Sequence, residues 1–153
     1  MKLEIVENQE YFLHDFIQLN EEWISTYFEI EEVDRKLATN PRKVIEDGGY
    51  IFTLLANRDV VGVCALFNEG DGIFELARMA VAPNCQGKGY GRLLMQTCLS
   101  KLEEIKAKKV HLVSNTKLET AIALYKKYGF ATVSQEQHPV YARANITMER
   151  NVS

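Results

Sequence analysis

The apolar residues change their spacing at Gly48-Gly49, and this change constrains the fold more than any other feature of the sequence. Between residues 8 and 28, and again over 31 to 47, apolar side chains recur every three or four residues, which predicts amphipathic helices. We expect Asn8 to cap the first helix and Asn40-Pro41 to break the second helical stretch. After the two glycines, short apolar runs separated by turns predict strands instead.

The predicted strands alternate with two further helices. Strands are predicted at residues 2–6, 50–56, 60–67, 73–81, 110–113, 130–133 and 142–148, and helices at 86–106 and 118–128. This order predicts an α/β protein with one central sheet. The sequence contains no internal repeat, low-complexity tract or linker, so we expect residues 1–153 to form a single domain.

Composition excludes several classes of protein. A chain of 153 residues that is 46% hydrophobic can bury a core without disulfides or metal. No apolar run approaches the roughly 18 residues that span a membrane and no signal peptide is evident, so we expect a cytoplasmic protein with no membrane partner. Three cysteines without CxxC spacing predict no disulfide framework and no metal site. A net charge of -3 argues against a nucleic-acid partner.

Residues 82 to 92 connect the end of a predicted strand to the start of a helix through three glycines. The first amides of a helix lack intrahelical acceptors, and its N-terminus carries a partial positive charge, so such a turn can bind phosphate. The dinucleotide fingerprint is excluded because Arg92 occupies the position of its last glycine, and a P-loop is excluded because Gly89 follows Lys88. A glycine-rich helix start that binds nothing is the alternative.

The spacing Gln86-x-x-Gly89-x-Gly91 resembles the Q/R-x-x-G-x-G/A signature with which the GNAT superfamily of N-acetyltransferases binds the pyrophosphate of CoA. Asn115 after the next strand, Tyr125 on the next helix and the Tyr128-Gly129-Phe130 phrase extend the resemblance over residues 50 to 148. It implies a mixed, mostly antiparallel sheet with splayed central strands and helices on both faces. It also implies acetyl-CoA as cosubstrate, and acetyl transfer to a primary amine by direct attack in a ternary complex.

The resemblance assigns the CoA contacts residue by residue. The main chain of Met79 and Val81 would bind the pantetheine arm, and a backbone N–H near Met79 or Ala80 would face the thioester oxygen. Asn115 would contact the same arm, or cap the following helix. The pyrophosphate would be bound by Gln86, Gly87, Lys88, Gly89, Gly91 and Arg92.

Two side chains are candidates for proton transfer. The resemblance assigns Tyr125 the role of protonating the departing thiolate, with Tyr128 as the competing tyrosine and simple packing as the alternative for both. Glu75 would take the proton of the attacking ammonium, since burial on a strand raises the pKa of a carboxyl group. The alternative for Glu75 is a solvated acid or an ion pair with Arg78.

The acceptor is expected to be a small-molecule or peptide amine. Residues 1 to 34 carry a net charge of -9 and the remainder +6, and we hypothesise that the acids of this first part attract a cationic amine. The acids nearest the expected entrance are Glu29, Glu31, Glu32 and Asp34. Three residues of the last predicted strand would line the same pocket: Tyr141, Arg143 and Asn145. Arg143 would instead favour an acceptor that carries a carboxylate.

A non-catalytic acyl-CoA-binding module is the alternative function. Homodimers that pair terminal strands are common in the GNAT superfamily, so the resemblance also allows a homodimer here.

Overall fold

The computed structural model describes residues 2–152, and one seven-stranded sheet runs through them. The strands are β1 (Leu3–Glu7), β2 (Tyr50–Ala56), β3 (Asp59–Asn68), β4 (Ile73–Val81), β5 (Lys109–Ser114), β6 (Ala131–Ser134) and β7 (Ile146–Asn151). Their spatial order is β1-β2-β3-β4-β5-β7-β6, and β4 and β5 form the one parallel pair. The mixed, mostly antiparallel sheet expected from the sequence is therefore confirmed. Strands β1 and β6 form the two edges of the sheet. A homodimer that pairs terminal strands stays a prediction.

Five helices cover the two faces of the sheet. They are α1 (Leu13–Tyr27), α2 (Glu32–Thr39), α3 (Arg42–Glu46), α4 (Tyr90–Glu104) and α5 (Glu119–Lys127). The alternating side chains of the strands divide between two cores: Val63 packs toward α1 and α3, whereas Leu66 packs toward α4. Within residues 2–152, no helix combines the length and the apolar character needed to cross a membrane.

Two predicted helix starts are wrong. Asn8 does not cap α1, because its backbone has a φ of 55° and its Oδ1 accepts the Ile51 N–H at 2.8 Å, which ties the chain to β2. The helix predicted from residue 86 begins at Tyr90, since Gly87 and Gly89 adopt φ values of 81° and 82° that a right-handed helix excludes. The predicted break at Asn40-Pro41 is confirmed, because α2 ends at Thr39 and α3 begins at Arg42.

The last strand begins later than its sequence pattern predicts. We expected it at residues 142–148, with Tyr141, Arg143 and Asn145 on one of its faces, but β7 spans Ile146–Asn151. The three residues precede β7 and do not alternate along it. The segment turns instead, with the Ala144 N–H bonded to the Tyr141 carbonyl at 3.1 Å, and the carboxylate of Glu31 accepts the Ala142 N–H at 2.8 Å. A partner distant in sequence thus overrides the local β pattern.

The central strands separate from each other part-way along the sheet. β4 and β5 pair only where Ile73–Glu75 lies beside Lys109–His111, and beyond Glu75 the two strands diverge. On its other side, β4 changes register against β3, and Arg78 has a φ of 59°, which identifies a bulge. The expected splay of the central strands is confirmed, and it opens a cleft in the middle of the sheet.

Candidate active site

A cleft of about 730 Å³ lies where β4 and β5 separate. Its walls are the second half of α1, the diverging ends of the two strands, the loop before α4, the start of α5 and the turn before β7. Ten of the residues assigned to the acyl donor or to proton transfer line it: Glu75, Met79, Val81, Gln86, Gly87, Gly89, Gly91, Arg92, Asn115 and Tyr125. Of the three residues expected to line the acceptor pocket, Tyr141 and Arg143 also line the cleft and Asn145 does not. The structure thus brings together, around one opening, residues from four separate stretches of chain.

Ala80 and Lys88 do not line this cleft. The Ala80 side chain points to the opposite face of β4, where it is buried in the core beneath α1 together with Val63. Lys88 borders a smaller cavity, which it shares with Asn57 and Asp59. Any contact of Ala80 with a molecule in the main cleft would therefore use its backbone.

The loop before α4 has its shape because of two glycines. Gly87 and Gly89 both adopt left-handed backbone conformations, and Gly89 is the residue at the N-terminal boundary of α4. A side chain at either position would strain the backbone, although a Cβ there would meet nothing within 4 Å. The first residues of α4 line the cleft, and the first amides of a helix have no intrahelical acceptor.

Gly91 differs from Gly87 and Gly89, because its backbone conformation does not require a glycine. It lies in the first turn of α4 outside the left-handed region, and a Cβ built on it would meet only the Met79 Sδ, at 3.9 Å. That distance is an ordinary contact. The folded chain therefore has room for a side chain at this position, and that room belongs to the cleft.

Tyr125 presents its phenol to the cleft from α5. Its ring packs against Phe130 with 6.1 Å between the ring centroids, and its hydroxyl forms no hydrogen bond with another residue in the range 2–152. Burial, with a smaller effect of Cys64, raises the pKa of Tyr125 to about 12. The phenol is therefore protonated at neutral pH, with its oxygen available to a molecule in the cleft.

Tyr128, the competing tyrosine, lies elsewhere. Its hydroxyl accepts a hydrogen bond from the Gln96 Nε2 at 2.9 Å, and the residue is not part of the cleft wall. One turn of α5 is enough to separate the two tyrosines. Tyr125 is the one whose position allows contact with a bound acyl donor.

Glu75 forms a cluster with two other titratable side chains at the point where the strands diverge. It is the last β4 residue paired with β5, opposite His111, and its carboxylate, the His111 imidazole and the Glu69 carboxylate all lie within 4.8 Å of one another. Burial raises the pKa of Glu75, while the charges of His111 and Arg78 oppose this effect and Glu69 adds to it. The alternative that Glu75 forms an ion pair with Arg78 is wrong, because Arg78 binds Asp34 instead.

The same cluster has the ligand types that a metal ion uses. Carboxylates and imidazole bind several divalent metals. However, His111 Nε2 directly contacts Glu69 Oε1, so these two groups already satisfy each other. The expectation that no metal takes part stays a prediction.

Asn115 holds two segments together beside the cleft. Its Nδ2 donates to the Arg143 carbonyl at 2.9 Å, and its Oδ1 accepts the Lys117 N–H at 3.0 Å. Leu118 stands at the N-terminal boundary of α5 without a side-chain cap, so the alternative that Asn115 caps this helix is wrong. The side chain fixes the turn before β7 against the end of β5.

A buried ion network lies behind the cleft wall. Asp34 is 3% exposed and binds two guanidinium groups, with Arg78 Nη1 at 2.5 Å and Arg143 Nη1 and Nη2 at 2.7 Å each. Glu31 accepts from the Arg143 guanidinium and from two backbone N–H groups of the same turn. Burial alone would raise the pKa of Asp34, but the hydrogen bonds from Arg143 and from the Glu31 backbone, together with both guanidinium charges, lower it.

This network removes Glu31 and Asp34 from the acids that were expected to attract a cationic amine. Asp34 and Glu31 are neutralised internally, and Glu32 is exposed beside Arg35. None of the four acids lines the cleft: Glu29, Glu31, Glu32 and Asp34. The negative charge of the first segment is thus either used inside the fold or directed to solvent.

The family model described as the acetyltransferase (GNAT) family matches residues 13–130 of this chain, which is more than half of it. The chain belongs to this family. Acetyl-CoA is the acyl donor of GNAT acetyltransferases and is therefore the cosubstrate of this one. No curated protein matches the sequence.

Solved GNAT structures share the whole fold at low sequence identity. An acetyltransferase of the GNAT family from Staphylococcus aureus Mu50 has a TM-score of 0.88 and 18% identity, covering 99% of this chain and 100% of that one. An N-acetyltransferase from Thermoplasma acidophilum in complex with coenzyme A has a TM-score of 0.75 and 18% identity, and the match covers 99% of each chain. Spermidine N-acetyltransferase from Vibrio cholerae, in complex with CoA and spermine, has a TM-score of 0.74 and 22% identity, and the match covers 97% of this chain and 95% of that one.

Five residues of the first helix and its end line the cleft of this GNAT protein but were not identified as site residues from the sequence, which indicated only a long amphipathic helix. They lie on one face of α1 and just after it: Asn20, Trp23, Ile24, Tyr27 and Phe28. The one available signal was Asn20, a polar residue on an otherwise apolar face, whose Nδ2 donates to the Phe16 carbonyl at 2.9 Å. Periodicity identifies the inner face of a helix, but it does not show where the sheet beneath that face is open.

Proposed function

We propose that this GNAT protein transfers the acetyl group of acetyl-CoA to the primary amine of a small molecule or peptide, by direct attack in a ternary complex. The observation that carries the proposal is the position of Tyr125. Its unpaired phenol and the carboxylate of Glu75 line the same cleft as the glycine loop at the start of α4. Acid, base and donor site are thus next to one another.

The acyl donor would lie along the cleft with its pyrophosphate at the loop. The amides of the first turn of α4 and the Arg92 guanidinium supply positive charge there. Beyond Glu75, β4 has no strand partner on the β5 side, so Met79 and Val81 offer backbone groups that the pantetheine arm can pair with as an added strand would. A backbone N–H near the bulge at Arg78, at Met79 or Ala80, would stabilise the oxyanion that forms on the thioester.

A larger side chain at position 91 tests this placement of the donor. In Gly91→Leu we expect the Kd for acetyl-CoA to rise at least about tenfold, because the added atoms enter the cleft. The free energy of unfolding should stay within about 1 kcal/mol of the wild type, because a helical leucine is not strained at this position. Gly91→Ala adds only the Cβ that the structure accommodates, and it serves as the matched control. Titration calorimetry and thermal unfolding measure both quantities, and unchanged binding in Gly91→Leu would contradict the placement.

The transfer step is a nucleophilic substitution at the thioester carbonyl. Glu75 removes a proton from the acceptor ammonium, and the amine nitrogen attacks the carbonyl carbon to give a tetrahedral oxyanion. The C–S bond then breaks as the amide forms, and the Tyr125 phenol donates its proton to the departing thiolate of CoA. The nitrogen loses its remaining extra proton to the Tyr125 phenolate, which restores the neutral amide and the acid. The proton taken up by Glu75 has a path away from the cleft, because His111 and the more exposed Glu69 adjoin its carboxylate.

The pH dependence of the rate tests the role of Glu75. A raised pKa means that the carboxylate form of Glu75 is populated only at pH values above it, so kcat/KM should fall as the pH decreases through that pKa. In Glu75→Gln we expect kcat to fall about 100-fold and this acidic limb to disappear. Glu103→Gln, on the exposed side of α4, is the control and should keep the wild-type profile. A Glu75→Gln enzyme with an unchanged profile would show that another group accepts the proton.

Release of CoA in the presence of a mixed panel of primary amines tests the proposed function as a whole. Amine-dependent turnover would support the transferase. Tight binding of acetyl-CoA without turnover on any amine would instead favour the non-catalytic acyl-CoA-binding module, which needs the loop but not Tyr125.

A further inference from the structure

The charged residues that line the cleft are predominantly basic. Four carry a positive charge and two a negative one: Arg78, Arg92, Lys117 and Arg143 against Glu75 and Glu119. Arg92 lies in the first turn of α4 at the expected pyrophosphate, and Glu119 is an exposed residue in the first turn of α5. Apart from these two, the charged residues of the described chain that line the cleft are three basic ones and one acid, Glu75.

One part of the cleft has an aromatic wall. It is formed by Trp23, Tyr27 and Phe28 from α1 and its end, with Tyr141 from the turn before β7. The Trp23 ring lies 5.2 Å from that of Tyr27 and 6.0 Å from that of Phe28, measured between centroids. We call this region, with Glu75, Arg78, Lys117 and Arg143, the acceptor end. Its wall suits an apolar or aromatic body.

The two arginines of the acceptor end already have anionic partners. Asp34 lies behind the wall and binds both guanidinium groups, and Glu31 binds Arg143 as well. Arg78 also donates to the Tyr141 hydroxyl at 3.1 Å. These contacts hold the arginines rigidly and compensate their charge, so neither is a mobile counterion for a ligand.

Lys117 is different, because its charge is not compensated. Its ammonium lies 4.3 Å from the centroid of the Phe28 ring and 3.5 Å from the Tyr27 carbonyl, and it forms no ion pair with any residue from 2 to 152. Its backbone N–H is bound by Asn115, whose other amide group holds the Arg143 carbonyl. The Lys117 ammonium thus lies over the aromatic wall, and Asn115 connects the Lys117 backbone to the turn that carries Arg143.

We propose that the acceptor is a primary amine with an apolar or aromatic body that carries a carboxylate, and that Lys117 binds this carboxylate. This inference rests on the proposed function and names the substrate class of the same site. Glu75 then receives the ammonium, the aromatic wall receives the body, and Lys117 receives the anionic group at a different point of the acceptor end. A polyamine would place its second cation near Lys117, where like charges repel each other.

Matched pairs of amines that differ only in a carboxylate test this proposal. The probes are phenylalanine with phenethylamine, and 4-(aminomethyl)benzoate with benzylamine, with spermidine as the polycation. For the wild type we expect the carboxylated member of at least one pair to have a kcat/KM about tenfold above that of its partner, and spermidine to be the poorest acceptor. In Lys117→Gln this advantage should disappear through a higher KM for the carboxylated amine, while KM for its neutral-bodied partner stays within about twofold.

Lys126→Gln is the matched control, since Lys126 lies on the exposed side of α5 and is not part of the cleft. This variant should leave unchanged the ratio of kcat/KM between the carboxylated amine and its partner in each pair. Spermidine as the best acceptor, or a carboxylate preference that survives in Lys117→Gln, would overturn the proposal.

Binding separates this proposal from the proposed function. Saturation-transfer NMR on the CoA complex ranks the same probes without any turnover. A binding preference for the carboxylated amines that depends on Lys117, in a protein that transfers no acetyl group, would support the proposed ligand class of the acceptor end. The same result would contradict only the proposed transferase function. Acetyl transfer to amines with no such preference would contradict the acceptor class alone.

Discussion

Replacing Tyr125 with phenylalanine should lower kcat about 100-fold to 1000-fold and leave the Kd for acetyl-CoA within about twofold of the wild-type value. This substitution removes one polar atom, the phenol oxygen, and the ring keeps its packing against Phe130. Without it, CoA must leave as an unprotonated thiolate, and loss of a positioned general acid costs a rate factor of this size. Because the pKa of Tyr125 is raised to about 12, the wild-type acid stays protonated throughout the neutral and moderately alkaline range.

Tyr128→Phe is the matched control for this prediction. It removes the same atom one turn later in the chain, from a hydroxyl that binds Gln96 outside the cleft. Its kcat should remain within about twofold of the wild type. Equal kcat values for Tyr125→Phe and the wild type, measured by CoA release at saturating amine, would show that the thiolate leaves without this acid.

Replacing Asp34 with asparagine should lower the free energy of unfolding by about 3 to 5 kcal/mol. Asparagine keeps the size of the side chain but removes the charge that Arg78 and Arg143 share, and it leaves two buried guanidinium groups without their anion. Urea denaturation followed by circular dichroism measures the loss. Glu32→Gln, two residues earlier on α2, removes an exposed carboxylate beside Arg35 and should change the stability by no more than about 0.5 kcal/mol.

The same aspartate gives stability a dependence on acid pH. The pKa of Asp34 is lower in the folded protein than in the unfolded chain, so its stabilising contribution is fully present above the unfolded value, roughly 3.9, and is lost as the pH falls through the folded value. The stability difference between the wild type and Asp34→Asn should therefore shrink as the pH is lowered from 5 toward 2. A difference that stays constant over this range would mean that the charge of Asp34 is not what stabilises the fold.

Local sequence patterns predicted the parts of the site that depend on neighbouring residues. Glycines at positions 87 and 89 indicate a turn because other residues avoid the left-handed conformation that both adopt. The position of Glu75 on a strand indicated burial, and its raised pKa follows from burial. The order of loop, asparagine and tyrosine along the chain indicated the GNAT family, to which the chain belongs.

Charge was the property that sequence patterns predicted least well. The acids of the first segment were interpreted as free to attract an amine, and an ion pair with the nearby Arg78 was the alternative role for Glu75. Asp34 instead binds Arg78, 44 positions away, and Arg143, 109 positions away. Within the acceptor end, this pairing leaves Lys117 as the basic side chain without an anionic partner among residues 2–152. The inference about the acceptor therefore changes from a polycation to an amine that carries a carboxylate.

The sequence by itself determined the order of helices and strands, the presence of a glycine-rich connection between β4 and α4, and the family, because each depends on periodicity or on a few adjacent residues. The tertiary structure decided which tyrosine faces the cleft, where β7 begins and which charges remain free. These outcomes depend on contacts between residues far apart in the chain, such as Glu31 with the Ala142 N–H. Such contacts exist only after the sheet has brought distant segments together, and pairing of buried charges then leaves a single lysine to meet the acceptor.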